Sequence, residues 1–126
     1  MNESRSFRRS RVAERIRDEL MSLLIRGTLR DPRLRDVCIT RVEVSPDLRN
    51  AYVFVRTTAD EVPESSQAGV VAALQAASGF VRRELAPRLE LRYQPLLKFA
   101  WDDELEETRR VDALLQEIER SEPDES

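Results

Sequence analysis

Two groups of arginines are the residues here whose type and spacing can do chemistry. Arg5, Arg8, Arg9, Arg11 and Arg15 crowd the N-terminal region, and Arg82 and Arg83 follow Ala77-Ser78-Gly79 within one helical turn. A guanidinium is always charged, and its planar fork of donors matches a phosphate. Gly79 interrupts a run in which Val70, Val71, Leu74, Ala77, Val81 and Leu85 keep helical spacing. A glycine there costs about 1 kcal/mol relative to alanine. The sequence therefore predicts two helices, or one kinked helix, joined at Ser78-Gly79. Such a corner sets a positive helix N-terminus beside two arginines, a place for phosphate. The plainer alternative is a helix that keeps a glycine for close packing. A Cβ at position 79 is expected to straighten or strain the corner.

This is the chemistry of binding, not of catalysis. There is no histidine, the commonest general base and metal ligand. Asp102, Asp103 and Glu104 form an acidic turn with no partner base, and read as solvated charge. Cys38, the single cysteine, lies in Val37-Cys38-Ile39 and reads as a small buried hydrophobe. With three glycines in all, no phosphate-loop or dinucleotide pattern occurs. No catalytic residue, metal site or cofactor is expected. Tyr52, Phe54 and Trp101 can stack on bases, although aromatics at strand spacing are more often core.

The elements that must position these groups follow from periodicity and punctuation. Ser10 is a plausible N-cap for a helix of about four turns with Val12, Ile16, Leu20, Leu23 and Leu24 on one stripe and Gly27 as its C-cap. Arg15 and Glu19 stand four apart and can pair on it. Arg30-Asp31-Pro32-Arg33 is a turn. Val37 to Val44 reads as a strand irregular near Thr40-Arg41, and Ala51 to Thr57 as its antiparallel partner across Ser45-Pro46-Asp47-Leu48-Arg49. Ser65 or Ser66 caps the interrupted helix, which Pro87 closes. Arg88 to Arg92 is open between a last helical turn and extended chain. Pro95 to Trp101 is a third strand, beside either the first or the second. Residues 105–120 read as an acidic helix with Val111, Leu114, Leu115 and Ile118 on one face. One α+β layer results, with helices on one sheet face and the other face less covered.

With 126 residues there is enough chain for one domain and one core. No apolar run approaches the roughly 20 residues of a membrane span, so no membrane role is expected and the cytoplasm is the default. The net charge of −3 conceals a division: residues 1–100 hold 18 Arg/Lys against 13 Asp/Glu, and residues 101–126 hold 3 against 11. A body of net +5 carries an acidic tail of net −8. The expected organisation is a flexible basic segment over 1–9, a folded domain over 10–102, and an acidic helix and tail over 103–126.

Five blocks, in order, resemble the bacterial ribosome-binding factor A family. They are Arg11 to Leu20; Asp31-Pro32-Arg33; Val42 to Ala51, across the hairpin; Ala76 to Leu85, across the Ala77-Ser78-Gly79 corner; and Pro95-Leu96-Leu97-Lys98-Phe99. The resemblance implies a KH-like fold, α-β-β-α-(kink)-α-β, here with an extra acidic C-terminal helix. In that family an Ala-x-Gly kink, here Ala77-Ser78-Gly79, replaces the GXXG loop of KH domains. It also implies a non-catalytic factor that binds the small (30S) ribosomal subunit during late maturation of its 16S rRNA, and leaves with help from a ribosome-associated GTPase. A monomer is expected. The candidate RNA-binding residues are the five N-terminal arginines, Ala77, Ser78, Gly79, Arg82 and Arg83. The competing readings are a general single-stranded RNA-binding KH-type module, a protein-interaction adaptor using the acidic tail, and an enzyme.

Overall fold

The first apolar stripe is buried as expected: Val12, Ile16, Leu20 and Leu23 of α1 (Asn2–Ile25) pack into the core. In this computed structural model, which describes residues 2–59 and 62–103, α1 starts eight residues before the expected Ser10 cap. The segment 1–9 is thus not set off by a helix start at Ser10. Gly27 ends the helix with φ 70°, the left-handed conformation that favours glycine, and its N–H donates to the Leu24 carbonyl.

A 3-10 turn, Pro32–Leu34, then sinks Leu34 into the core. Asp31 caps it by accepting the Arg33 N–H at 2.9 Å, and its carboxylate pairs with the Arg33 guanidinium at 2.7 Å. β1 (Val37–Val44) and β2 (Asn50–Thr57) form the antiparallel hairpin, joined by the five residues between them. The irregularity expected near Thr40-Arg41 is a bulge between Ile39 and Arg41. It shifts the alternation by one, so Val37 and Ile39 face the helices before it, and Val42 and Val44 after it.

Cys38 stands opposite in phase to those residues and is half-buried on the outer face, so it is not the core residue the sequence predicts. In the hairpin loop Leu48 takes φ 62°, and the Asp47 carboxylate accepts from the Ser45 hydroxyl and from the Arg49 N–H.

α2 (Glu64–Ala76) begins after Pro63 rather than under Ser65 or Ser66. The Ser66 and Gln67 N–H groups both donate to the Pro63 carbonyl, so no side-chain cap forms. α3 (Ser78–Leu89) follows at once. Pro87 does not close it: the helix runs on to the buried Leu89 and stops at Glu90 with φ 51°. Side chains from elsewhere take two of its last carbonyls, Gln94 bonding Ala86 and Arg15 bonding Arg88. β3 (Leu96–Trp101) lies parallel to β2, which settles the open strand order as β1-β2-β3.

Val37, Ile39, Ala51, Val53, Val55 and Phe99 turn one sheet face to the helices. The other face, carrying Tyr52, Phe54 and Lys98, is uncovered among the described residues. Among the described residues Tyr52 and Phe54 therefore belong to neither the core nor a helix contact. Arg41 lies 3.8 Å over the Phe54 ring and Lys98 5.6 Å over Tyr52.

Asp102 departs from its reading as solvated charge. It is 7% exposed, its carboxylate accepts from the Thr40 hydroxyl, and its carbonyl accepts from Arg56 at 2.8 Å. The expected acidic helix over 105–120 lies outside the described residues.

Candidate nucleic-acid interface

The kink is where the sequence puts it, but for a different backbone reason. The break falls on Ala77, at φ −85° and ψ −2°, in the sparsely populated bridge region. Its N–H closes α2 on Ala73 and Leu74, while its carbonyl accepts the Val81 N–H and opens α3. Gly79 sits in the first turn of α3 without a positive φ, and a Cβ built on it meets nothing within 4 Å. The glycine is therefore not required by packing among the described residues. It leaves an open approach to the backbone at a helix start that has no side-chain cap. The first N–H groups of a helix lack intrahelical partners and carry its positive end.

The candidate arginines divide by what they already hold. Arg9 donates from Nε and Nη2 to the Val44 carbonyl at 3.1 and 2.9 Å, tying α1 to the end of β1. Arg15 donates twice to the Arg88 carbonyl, at 3.3 and 2.8 Å. Glu19 does not pair with Arg15 along the helix; it meets Arg88 at 3.4 Å. Arg82 donates to the Pro95 and Gln94 carbonyls, each at 3.0 Å, and fixes the segment leading into β3.

These three guanidiniums hold backbone, Arg15 while itself exposed. Arg8, Arg11 and Arg83 are exposed and hold no backbone, and Arg8 and Arg83 have no hydrogen-bond or ion-pair partner among the described residues. Arg5 lies in the first turns of α1.

The candidates do not form one patch. Ala77, Ser78 and Gly79 stand at the start of α3, with Arg82 and Arg83 one turn on. Arg8, Arg11 and Arg15 border its far end, about 16 Å along the axis at 1.5 Å per residue. There a cleft of about 220 Å³ opens between α1 and the end of α3. Arg8, Arg11 and Arg15 rim it, Val12, Leu89 and Leu91 line it, and Phe7, 65% exposed, walls it. The Arg11 guanidinium lies 5.7 Å from the Phe7 ring centre.

Phe7, Leu89 and Leu91 are the site residues that sequence reasoning missed. The signal for Phe7 was present, because Phe7, Arg8, Arg11 and Arg15 recur at the three- and four-residue spacing of one helix face. That face runs on from Arg11 and Arg15 to Phe7 because α1 begins at Asn2 rather than after Ser10.

Gln75 joins the kink to the sheet. Its side-chain amide donates to the Leu97 carbonyl and accepts the Phe99 N–H, each at 3.1 Å, so it occupies the free edge of β3 as a neighbouring strand would. Among the described residues no group of His, Cys, Asp or Glu is placed to hold a metal ion, and no helix is long and apolar enough to cross a membrane.

Known proteins place this architecture. A ribosome-binding factor A of Thermomicrobium roseum is 45% identical, covering 91% of this chain and 86% of its own length. One of Magnetococcus marinus is 43% identical over 96% of each chain. The crystal structure of ribosome-binding factor A from Thermus thermophilus superposes with a TM-score of 0.60 at 25% identity, covering 72% of this chain and 92% of that one. The family model described as Ribosome-binding factor A matches residues 8–115, and the chain belongs to that family.

Proposed function

We propose that this chain binds the small ribosomal subunit through its 16S rRNA during late maturation, without catalysing a reaction. The observation that carries this reading is the exposure of Arg8 and Arg11 at a cleft on a ribosome-binding-factor fold. Structured RNA is met through phosphates and shape, and exposed arginines on a rigid helix suit both. Arg83 and the open backbone at Gly79 give a second contact at the other end of α3. On this reading the chain acts as a monomer and is released with help from a GTPase that works on the same subunit.

The test is co-sedimentation with isolated small subunits, large subunits and joined ribosomes at two salt concentrations. Binding confined to the small subunit, falling steeply with salt, is the expected result, because phosphate contacts release counterions. In the double variant Arg8→Glu, Arg11→Glu, affinity falls and the salt slope flattens by about 1 for each phosphate no longer neutralised, with the fold unchanged. Tight binding to short single-stranded RNA with none to ribosomal particles overturns the reading in favour of a general KH-type module.

A further inference from the structure

We propose that the cleft between α1 and the end of α3 takes one unstacked nucleotide of RNA. The base lies against Phe7 over the apolar floor, and its phosphates lie on Arg8 and Arg11. This rests on the RNA-binding reading above and goes beyond it, because phosphate contact alone requires neither the ring nor the floor.

Four observations converge. First, the cleft is amphipathic in the way a nucleotide is: its floor is Val12, Leu89 and Leu91, its wall an aromatic ring, and its rim cationic. Second, its volume of about 220 Å³ is below the roughly 300–1,000 Å³ of sites for drug-sized ligands, which suits one flat ring with its sugar-phosphate outside. Third, Phe7 keeps 65% of its surface exposed although it sits next to an apolar floor. A ring left in that position gains on burial, and a base offers the matching face. Fourth, the arginines divide their work. Arg15 is bound by both Nε and Nη2 to the Arg88 carbonyl and fixes the rim, while the Arg11 guanidinium lies 5.7 Å from the Phe7 ring centre.

Stacking on an aromatic tolerates any base, because every base has a π-face. A duplex keeps its bases stacked inside and cannot fill the cleft, so the occupant belongs to a loop, bulge or single-stranded end.

The experiment compares Phe7→Ala, Phe7→Leu and Phe7→Trp with the Arg8→Glu, Arg11→Glu double variant, for binding to isolated small subunits and for thermal midpoint. Phe7→Ala and Phe7→Leu are expected to weaken binding about 5- to 150-fold, the range for loss of one base–aromatic stack, with the midpoint unchanged. Phe7→Trp retains affinity, and fluorescence from its added indole is quenched when a short single-stranded oligoribonucleotide is titrated in.

Full binding by Phe7→Leu with loss in Phe7→Ala overturns the proposal, since a greasy contact such as a ribosomal-protein side chain then suffices. Unchanged binding in both, beside loss in the arginine variant, overturns the nucleotide cleft and leaves the phosphate-binding reading standing. Unchanged binding in all four removes this end of the molecule from both readings.

Discussion

Replacing Gly79 with alanine separates a packing reason for the glycine from a ligand-facing one. Gly79 is the second residue of α3, has no positive φ, and leaves more than 4 Å of open space where a Cβ would go. Alanine therefore enters without strain and lowers the entropy of the unfolded chain. That effect is worth about 0.4–1 kcal/mol at a compatible site, and the low end applies so close to a helix end. For a domain of this size the low end raises the thermal midpoint by about 1–3 °C.

Binding should move the other way. If a phosphate oxygen reaches the α3 N-terminus at the usual hydrogen-bond distance of about 2.9 Å, a methyl group on that face displaces it. Losing one charge-assisted hydrogen bond costs about 1.5–3 kcal/mol, which weakens affinity about 10- to 150-fold. Thermal unfolding and small-subunit co-sedimentation read the two effects separately. A fall of several degrees in the midpoint would refute the open-space argument. A raised midpoint with unchanged affinity would refute the claim that ligand approaches here.

Two further predictions concern the frame. Gln75→Ala leaves the Leu97 carbonyl and Phe99 N–H without their side-chain partner and should cost about 1–3 kcal/mol, two hydrogen bonds at their net value, with faster amide exchange at Phe99; unaltered exchange there would show that the edge does not depend on Gln75. The Asp31 and Asp47 carboxyls are held below the usual carboxylate range, Asp31 first by its hydrogen bond from the Arg33 side chain and Asp47 first by the Ser45 hydroxyl. A depressed folded pKa gives stability that is present above the unfolded value, about 3.9, and is lost as pH falls through the folded one. Urea midpoints should therefore stay level from neutrality to about pH 5 and drop below about pH 4, with a shallower drop in Asp47→Asn; an equal drop in that variant would assign the acid limb elsewhere.

The legible features are those encoded by spacing along the chain. The α1 stripe, the bulge at Thr40, the Gly27 cap and the break near residue 78 each follow from a local pattern that one element can satisfy. What the sequence does not disclose depends on partners distant in the chain. Arg9, Arg15 and Arg82 look no different in sequence from Arg8, Arg11 and Arg83, yet the first three are consumed by carbonyls 35, 73 and 12–13 residues away. Asp102 looks solvated because its neighbours are acidic, while Thr40 and Arg56 that hold it sit on other strands. Pro87 reads as a stop because the rule is local. The burial of Leu89 and the two side chains that take up the end carbonyls outweigh it.

That division of the arginines bears on how the molecule engages RNA. A guanidinium that bonds backbone by two nitrogens is fixed in place and has lost much of the freedom a phosphate contact would need to recruit. Arg9, Arg15 and Arg82 each join a helix to a different neighbour: α1 to β1, α1 to the end of α3, and α3 to the entry of β3. They lock the frame on which Arg8, Arg11 and Arg83 stand exposed. Removing an arginine of the first set should therefore lower stability and binding together, because the frame moves. Removing one of the second set should lower binding alone. The rise of α3 itself sets its two ends about 16 Å apart, and the side chains that hold α3 against α1 and the entry of β3 are ones that a simple count of positive charge would assign to the ligand.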